Sequence, residues 1–103
     1  MEIVLHAHHA EVPDTVRAAA MAALRRLGER RRRLVNALVR FVADGPQRRV
    51  EIVLHGAHHR VLFASANSAA FAPALSVALD RVEAQLAHTR RPRRGALRGY
   101  PPR

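Results

Sequence analysis

Seven histidines and eighteen arginines dominate the chemistry available to this 103-residue chain, which has no lysine and no cysteine. Six of the histidines lie in two similar stretches, EIVLHAHHA at residues 2–10 and EIVLHGAHH at residues 51–59. Imidazoles so grouped can ligate a metal ion or shuttle protons. The first cluster is His6, His8 and His9, and the second is His55, His58 and His59. Glu11, near His8 and His9, is the only suitably placed carboxylate, and thiolate ligands are excluded. There is no nucleophile–base–acid set, no Gly-rich phosphate loop and no pair of carboxylates suited to a cleft. The histidines therefore read as surface residues on two similar half-buried strands. No cofactor, no metal and no small-molecule substrate is expected, and a histidine-dependent enzyme or metal protein is the least supported of the classes considered.

The arginines point elsewhere. The formal charge is +10, and guanidinium groups suit phosphate because they donate in a rigid fork. They are also concentrated. Arg25, Arg26 and Arg30, Arg31, Arg32 and Arg33 are opposed only by Glu29, while Arg90, Arg91, Arg93, Arg94, Arg98 and Arg103 have no acid among them. A single charge run is ordinarily a solvated face, but two separate runs of one sign make a net field and imply a polyanionic partner. No apolar run is long enough to cross a membrane or to form a signal peptide, so a cytoplasmic protein without a membrane partner is expected.

The elements that must position these residues follow from periodicity. Glu2 to His6 alternates as a strand, with Ile3 and Leu5 on one side and Glu2, Val4 and His6 on the other. Val12-Pro13-Asp14-Thr15 starts a helix that runs to about Arg32, with Val16, Ala20, Ala23 and Leu27 as its apolar stripe. Leu34 to Ala43 is a second strand with Ala37, Val39 and Phe41 in phase, broken by Asp44-Gly45-Pro46. Val50, Ile52 and Leu54 mark a third strand. Gly56 to His59 form a turn, and Val61 to Ala66 is a fourth strand with Leu62, Ala64 and Ala66 in phase. A last helix begins near Ala70, with Pro73 in its first turn, carries Phe71, Leu75, Ala78, Val82 and Leu86 inward, and stops at Pro92. Residues 95–103 are expected to be a flexible basic tail after a single domain spanning residues 1–94. Phe41, Phe63 and Phe71 are the largest candidate core residues.

The order predicts an α+β fold: one β-α-β-β-β-α domain with a four-stranded mixed sheet and two roughly parallel helices on one face. A strand–helix–strand start implies parallel pairing of the first two strands through a right-handed crossover, and short links make the later neighbours antiparallel. Strands one, two and four then point the same way. Both helices run back along them, so their C-terminal ends, both arginine clusters and the turn with His58, His59 and Arg60 share one end of the molecule. Arginines there also complement the helix dipoles, at about 0.3–1 kcal/mol each. Six or more exceed that need. The same topology places the two histidine clusters at opposite ends of the sheet.

Several ordered features resemble the ribosome hibernation factors, namely the short hibernation-promoting factor and the ribosome-associated inhibitor of subunit-interface type. The likeness covers about residues 1–91. Glu11, Arg17 and Leu27 fall where that family often has the same residues. Val50-Glu51-Ile52 is similar to its third strand and Ala64-Ser65-Ala66 to its fourth. Leu79-Asp80-Arg81-Val82 and Gln85-Leu86-Ala87-His88 resemble its basic last helix. That helix typically opens with Asp-Met-Tyr-Ala-Ala-Ile-Asp. Here Ala70-Phe71-Ala72-Pro73-Ala74-Leu75-Ser76 keeps the core positions and lacks the acidic and tyrosine ones.

The resemblance implies a protein that occupies the messenger and transfer RNA groove of the small ribosomal subunit and silences idle ribosomes without catalysis. Small-subunit ribosomal RNA would be its partner, and the chain resembles the short form, which has no dimerisation domain. The expected RNA-binding residues are Arg25, Arg26, Arg30, Arg31, Arg32, Arg33, His58, His59, Arg60, Arg81, His88, Arg90, Arg91, Arg93 and Arg94. A general structured-RNA binder using the same basic end is the alternative.

Overall fold

Strand alternation and helical stripes produce the expected order. The computed structural model of the chain describes the backbone of residues 1–90 and the side chains of residues 1–87. Its elements are β1 (Glu2–His8), α1 (Asp14–Arg30), β2 (Leu34–Asp44), β3 (Gln47–Gly56), a short 3-10 turn (Ala57–His59), β4 (Val61–Ser68) and α2 (Phe71–Arg90). The sheet order is β1-β2-β3-β4. β1 pairs parallel with β2, and the other two pairings are antiparallel.

One face of the sheet and the apolar stripes of both helices form a single core. β2 and β3 supply Ala37, Val39, Phe41, Val50, Ile52 and Leu54, all essentially inaccessible, and β4 adds Ala64 and Ala66. From α2 come Phe71, Ala74, Leu75, Ala78, Val82 and Leu86. Phe41 and Phe71 meet edge to face, with centroids 5.6 Å apart and planes at 89°, a favoured aromatic geometry. Ile3 and Leu5 of β1 pack half-buried against the margin.

Three local expectations change. Helix α1 ends at Arg30, not near Arg32: Arg31 still donates its N–H to Leu27 O, but its backbone (φ −122°, ψ 83°) leaves the helix. The N–H of Leu34 then donates to Arg31 O. The chain must reverse within these residues so that Leu34 can be buried at the start of β2. The α1 stripe contains Leu24, fully buried, with Ala23 half-buried beside it. At 100° per residue Leu24 completes the row Val16, Ala20, Leu24, Leu27, and the larger side chain gains more by facing the sheet. Phe63 is not in the core. It is 50% exposed, because Leu62, Ala64 and Ala66 set the inward phase of β4 and a side-chain period of two turns Phe63 outward.

The turns carry their own chemistry. Gly45 has φ +60° in the two-residue link between β2 and β3. Since Pro46 cannot adopt positive φ, the turn is the II′ kind that suits a hairpin. Beyond β3, both central residues of Ala57–Arg60, His58 and His59, also have positive φ (63° and 61°). Side chains other than Gly, Asn or Asp pay for that conformation. Replacing His58-His59 by Asn-Gly is therefore expected to raise stability by about 1 kcal/mol, read as a higher urea midpoint with an unchanged slope. A lower midpoint would show that the imidazoles stabilise the turn.

The outer edge of β4 is covered. Arg81 of α2 donates from Nη1 to Ser65 O, and Gln85 donates from Nε2 to Phe63 O at 2.7 Å. These bonds satisfy carbonyls that would otherwise offer a template for another strand. No helix among the described residues is long and apolar enough to cross a membrane.

Candidate nucleic-acid interface

Three chain segments converge at one end of the sheet. β2 begins there at Leu34, which is in register with Gly56 at the end of β3. The N–H of Ala57 donates to Arg33 O at 2.9 Å, so the β3–β4 turn is tied to the segment that follows α1. Helix α2 starts beyond the far end of β4 and runs back toward the same end. Arg30 on α1 and Glu83 on α2 approach to 3.7 Å across the gap between the helices.

This end carries Arg25, Arg26, Arg30, Arg32, Arg33, His58, His59 and Arg60, all exposed. Arg31 is half-buried, and its Nε is enclosed without a hydrogen-bond partner. Glu29 and Glu83 are the acids nearby, and the Arg30–Glu83 pair is a solvent-exposed contact of the kind worth at most about 1 kcal/mol. The positive field is therefore largely uncompensated. A shallow groove opens among Met1, Arg25, Gly28, Glu29, Arg32 and Leu34. Its floor depends on Gly28, because a Cβ there would lie 3.1 Å from both Cβ and Cε of Met1. The groove lining is mixed, with Arg25, Arg32 and Glu29 beside the apolar residues Met1 and Leu34.

The expected residues are not all equivalent. Arg81 stands apart from the cluster, its guanidinium engaged with the β4 edge. His88 and Arg90 lie on α2, whose backbone is described to Arg90, but their side chains fall outside the described residues. Arg91, Arg93, Arg94, the stop at Pro92 and the tail from Gly95 likewise lie outside them.

The histidine clusters are separated as the topology demands. His6 and His8 lie toward the opposite end of β1, and His55 is in register with Asn36, which faces Glu2. Six residues of strand, about 20 Å, divide the level of His8 from that of His55. One ion cannot join the two clusters. His8 and His9 approach edge to face at 4.4 Å and His6 stacks on His8 at 6.5 Å, yet among the described residues no three His, Cys, Asp or Glu side chains are gathered so as to hold a metal ion.

Sequence reasoning missed an ion-pair network on the sheet face away from the helices. Arg40 Nη1 donates to Glu51 Oε1 at 2.9 Å, Arg49 Nε donates to Glu51 Oε2 at 3.0 Å, and Arg49 Nη1 reaches Asp44 Oδ2 at 3.4 Å. Arg40 and Glu51 are cross-strand partners. The alternation of β2 and β3 put both residues on the outer face. Their adjacency depended on register, which alternation does not specify.

This is a small α+β domain whose exposed arginines at the end of α1 and in the turns beside it converge on one end. Comparison makes the class specific: the chain belongs to the Sigma 54 modulation protein / S30EA ribosomal protein family, whose model matches residues 3–94. The family comprises ribosome-associated hibernation and modulation factors that bind ribosomes and are not enzymes. Among solved structures, the chain is similar to a ribosomal subunit interface protein from Coxiella burnetii, with a TM-score of 0.79 and 17% identity over 87% of this chain and 98% of that one. It is also similar to the N-terminal domain of Protein Y from Thermus thermophilus, with a TM-score of 0.73 and 25% identity over 86% and 99% of the two chains. A search of curated proteins returns no match.

Proposed function

We propose that this protein silences idle ribosomes by seating its arginine-rich end on the RNA of the small subunit, in the groove that otherwise holds messenger and transfer RNA. One observation carries the reading: the α1 terminus, the Arg31–Arg33 segment and the β3–β4 turn bring eight exposed basic or imidazole side chains to a single end of the fold. Both helix C-termini point there as well, and cationic side chains offset their negative dipole ends. Phosphate contacts made by such a surface release counterions, which supplies affinity without base readout. The mechanism is occupation, and the residues supply position and charge. A ribosomal partner places the protein in the cytoplasm, and use during stress or stationary phase is consistent with such a role.

In a purified translation system with limiting initiator transfer RNA, the protein is expected to inhibit initiation, and excess initiator should relieve the block. Roughly five to eight phosphate contacts correspond to a slope of log K against log salt of about −4 to −7. Inhibition unchanged at saturating transfer RNA, or tight binding to the large subunit alone, would leave only general RNA binding. A slope near zero would remove the electrostatic account altogether.

A further inference from the structure

The helices cover one face of the sheet and leave the other open, and that open face is organised. Register aligns Val4 with Leu38, Leu38 with Val53 and Val53 with Phe63. The four make an apolar row across all four strands. Val4 is 47% and Phe63 50% exposed at its two ends, and Leu38 and Val53 are half-buried between them. Solvated sheet faces ordinarily alternate apolar-in with polar-out. A continuous apolar row on the outer face departs from that pattern and marks an interaction surface.

Charge identifies what fits it. The adjacent row is His6, Arg40, Glu51 and Ser65. Its arginine, and Arg49 beyond it, are already paired with Glu51 and Asp44, and the Glu51 side chain is only 16% exposed between its two guanidinium partners. A phosphate would have to displace these pairs. The open face is thus close to neutral on a chain of net charge +10, in contrast to the uncompensated basic end. An uncharged apolar protein surface is complementary to it, and a polyanion is not.

Area then decides between partners. Four strands about 4.8 Å apart and seven residues long give a face of roughly 450 Å². Two copies stacked through it would bury about 900 Å² in total, below the roughly 1,200–2,000 Å² of stable complexes, and would bring two strongly basic chains together. The face is sized to add to another contact. We infer that the row Val4–Leu38–Val53–Phe63 docks on an apolar, uncharged patch of a ribosomal protein while the arginine end holds RNA, the second contact being made at high effective concentration once the first has formed. This rests on the ribosome reading above.

The test places p-benzoylphenylalanine at position 63 and, separately, at position 32, and irradiates each protein bound to purified ribosomes. Position 32 should crosslink to ribosomal RNA. Position 63 should crosslink to a peptide of one ribosomal protein, identified by mass spectrometry. In parallel, Phe63→Gln should weaken ribosome binding about tenfold with an unchanged salt slope, whereas Arg32→Gln should lower the slope by roughly 0.7–0.9. An RNA adduct at position 63, an adduct to a second copy of this chain, or no adduct there while position 32 reacts overturns the inference and leaves the ribosome reading intact. No adduct at either position overturns both.

Discussion

Exchanging Arg30, Arg31, Arg32 and Arg33 together for glutamine is expected to weaken ribosome binding by about a thousandfold while the far-ultraviolet circular dichroism stays that of the native fold. Arg32 and Arg33 are exposed and without an ion pair among the described contacts. Arg30 shares only a long contact with Glu83, so its guanidinium remains available to a phosphate. At about 1 kcal/mol net per contact, three or four lost contacts amount to 3–4 kcal/mol, or two to three powers of ten. The salt slope should shrink in step, by roughly 0.7–0.9 for each contact removed. The fold survives because the four residues follow the buried row Val16, Ala20, Leu24 and Leu27. The backbone bonds that end α1, from Arg31 N–H to Leu27 O and from Leu34 N–H to Arg31 O, do not depend on side chains. Unfolding of the variant would make the cluster structural, and the enclosed Nε of Arg31 would be the first place to look. Full affinity with native dichroism would move the RNA contact to another surface.

The second large effect separates two phenylalanines that look alike in the sequence. Phe41 is 1% exposed and meets Phe71 edge to face, so Phe41→Ala should cost about 3–5 kcal/mol. That is a large share of the 5–15 kcal/mol typical of a small domain, and the urea midpoint should fall in proportion. Phe63→Ala leaves a position already half in water and should cost under about 1 kcal/mol. Urea midpoints of the two variants provide the measurement. Equal losses would contradict the assignment of Phe63 to the outer face and, with it, the apolar row inferred above.

Legibility in the sequence followed the range of each interaction. The alternation of Ala37, Val39 and Phe41, of Val50, Ile52 and Leu54, and of Leu62, Ala64 and Ala66 is a local signal, and each set is where it was expected. The same holds for Phe71, Leu75, Ala78, Val82 and Leu86. The end of α1 was harder to read, because an arginine run has no apolar phase and only the burial of Leu34 tells where the chain must turn. Ala23 and Leu24 lie within 100° of each other on the helix, and which one faces the sheet depends on how α1 is set against β1 and β2. The charge of Arg81 is visible in the sequence. Its bond to a carbonyl of β4 is not.

By itself, the order and period of apolar residues determined the β-α-β-β-β-α topology, since strand direction and short links leave few ways to cover one sheet face. That topology in turn set the separation of the two histidine clusters and put the arginines that follow α1 beside the β3–β4 turn. Only the tertiary structure decided which charges remain free. Arg40 and Arg49 are as basic in composition as Arg32 and Arg33, but strand register places Glu51 and Asp44 against the first two, whereas the turn after α1 leaves the others in solvent. Only register, too, aligned Val4, Leu38, Val53 and Phe63, residues drawn from four strands, into one row. Pairing across strands depends on contacts between distant parts of the chain, and no local pattern encodes which residue will stand opposite which.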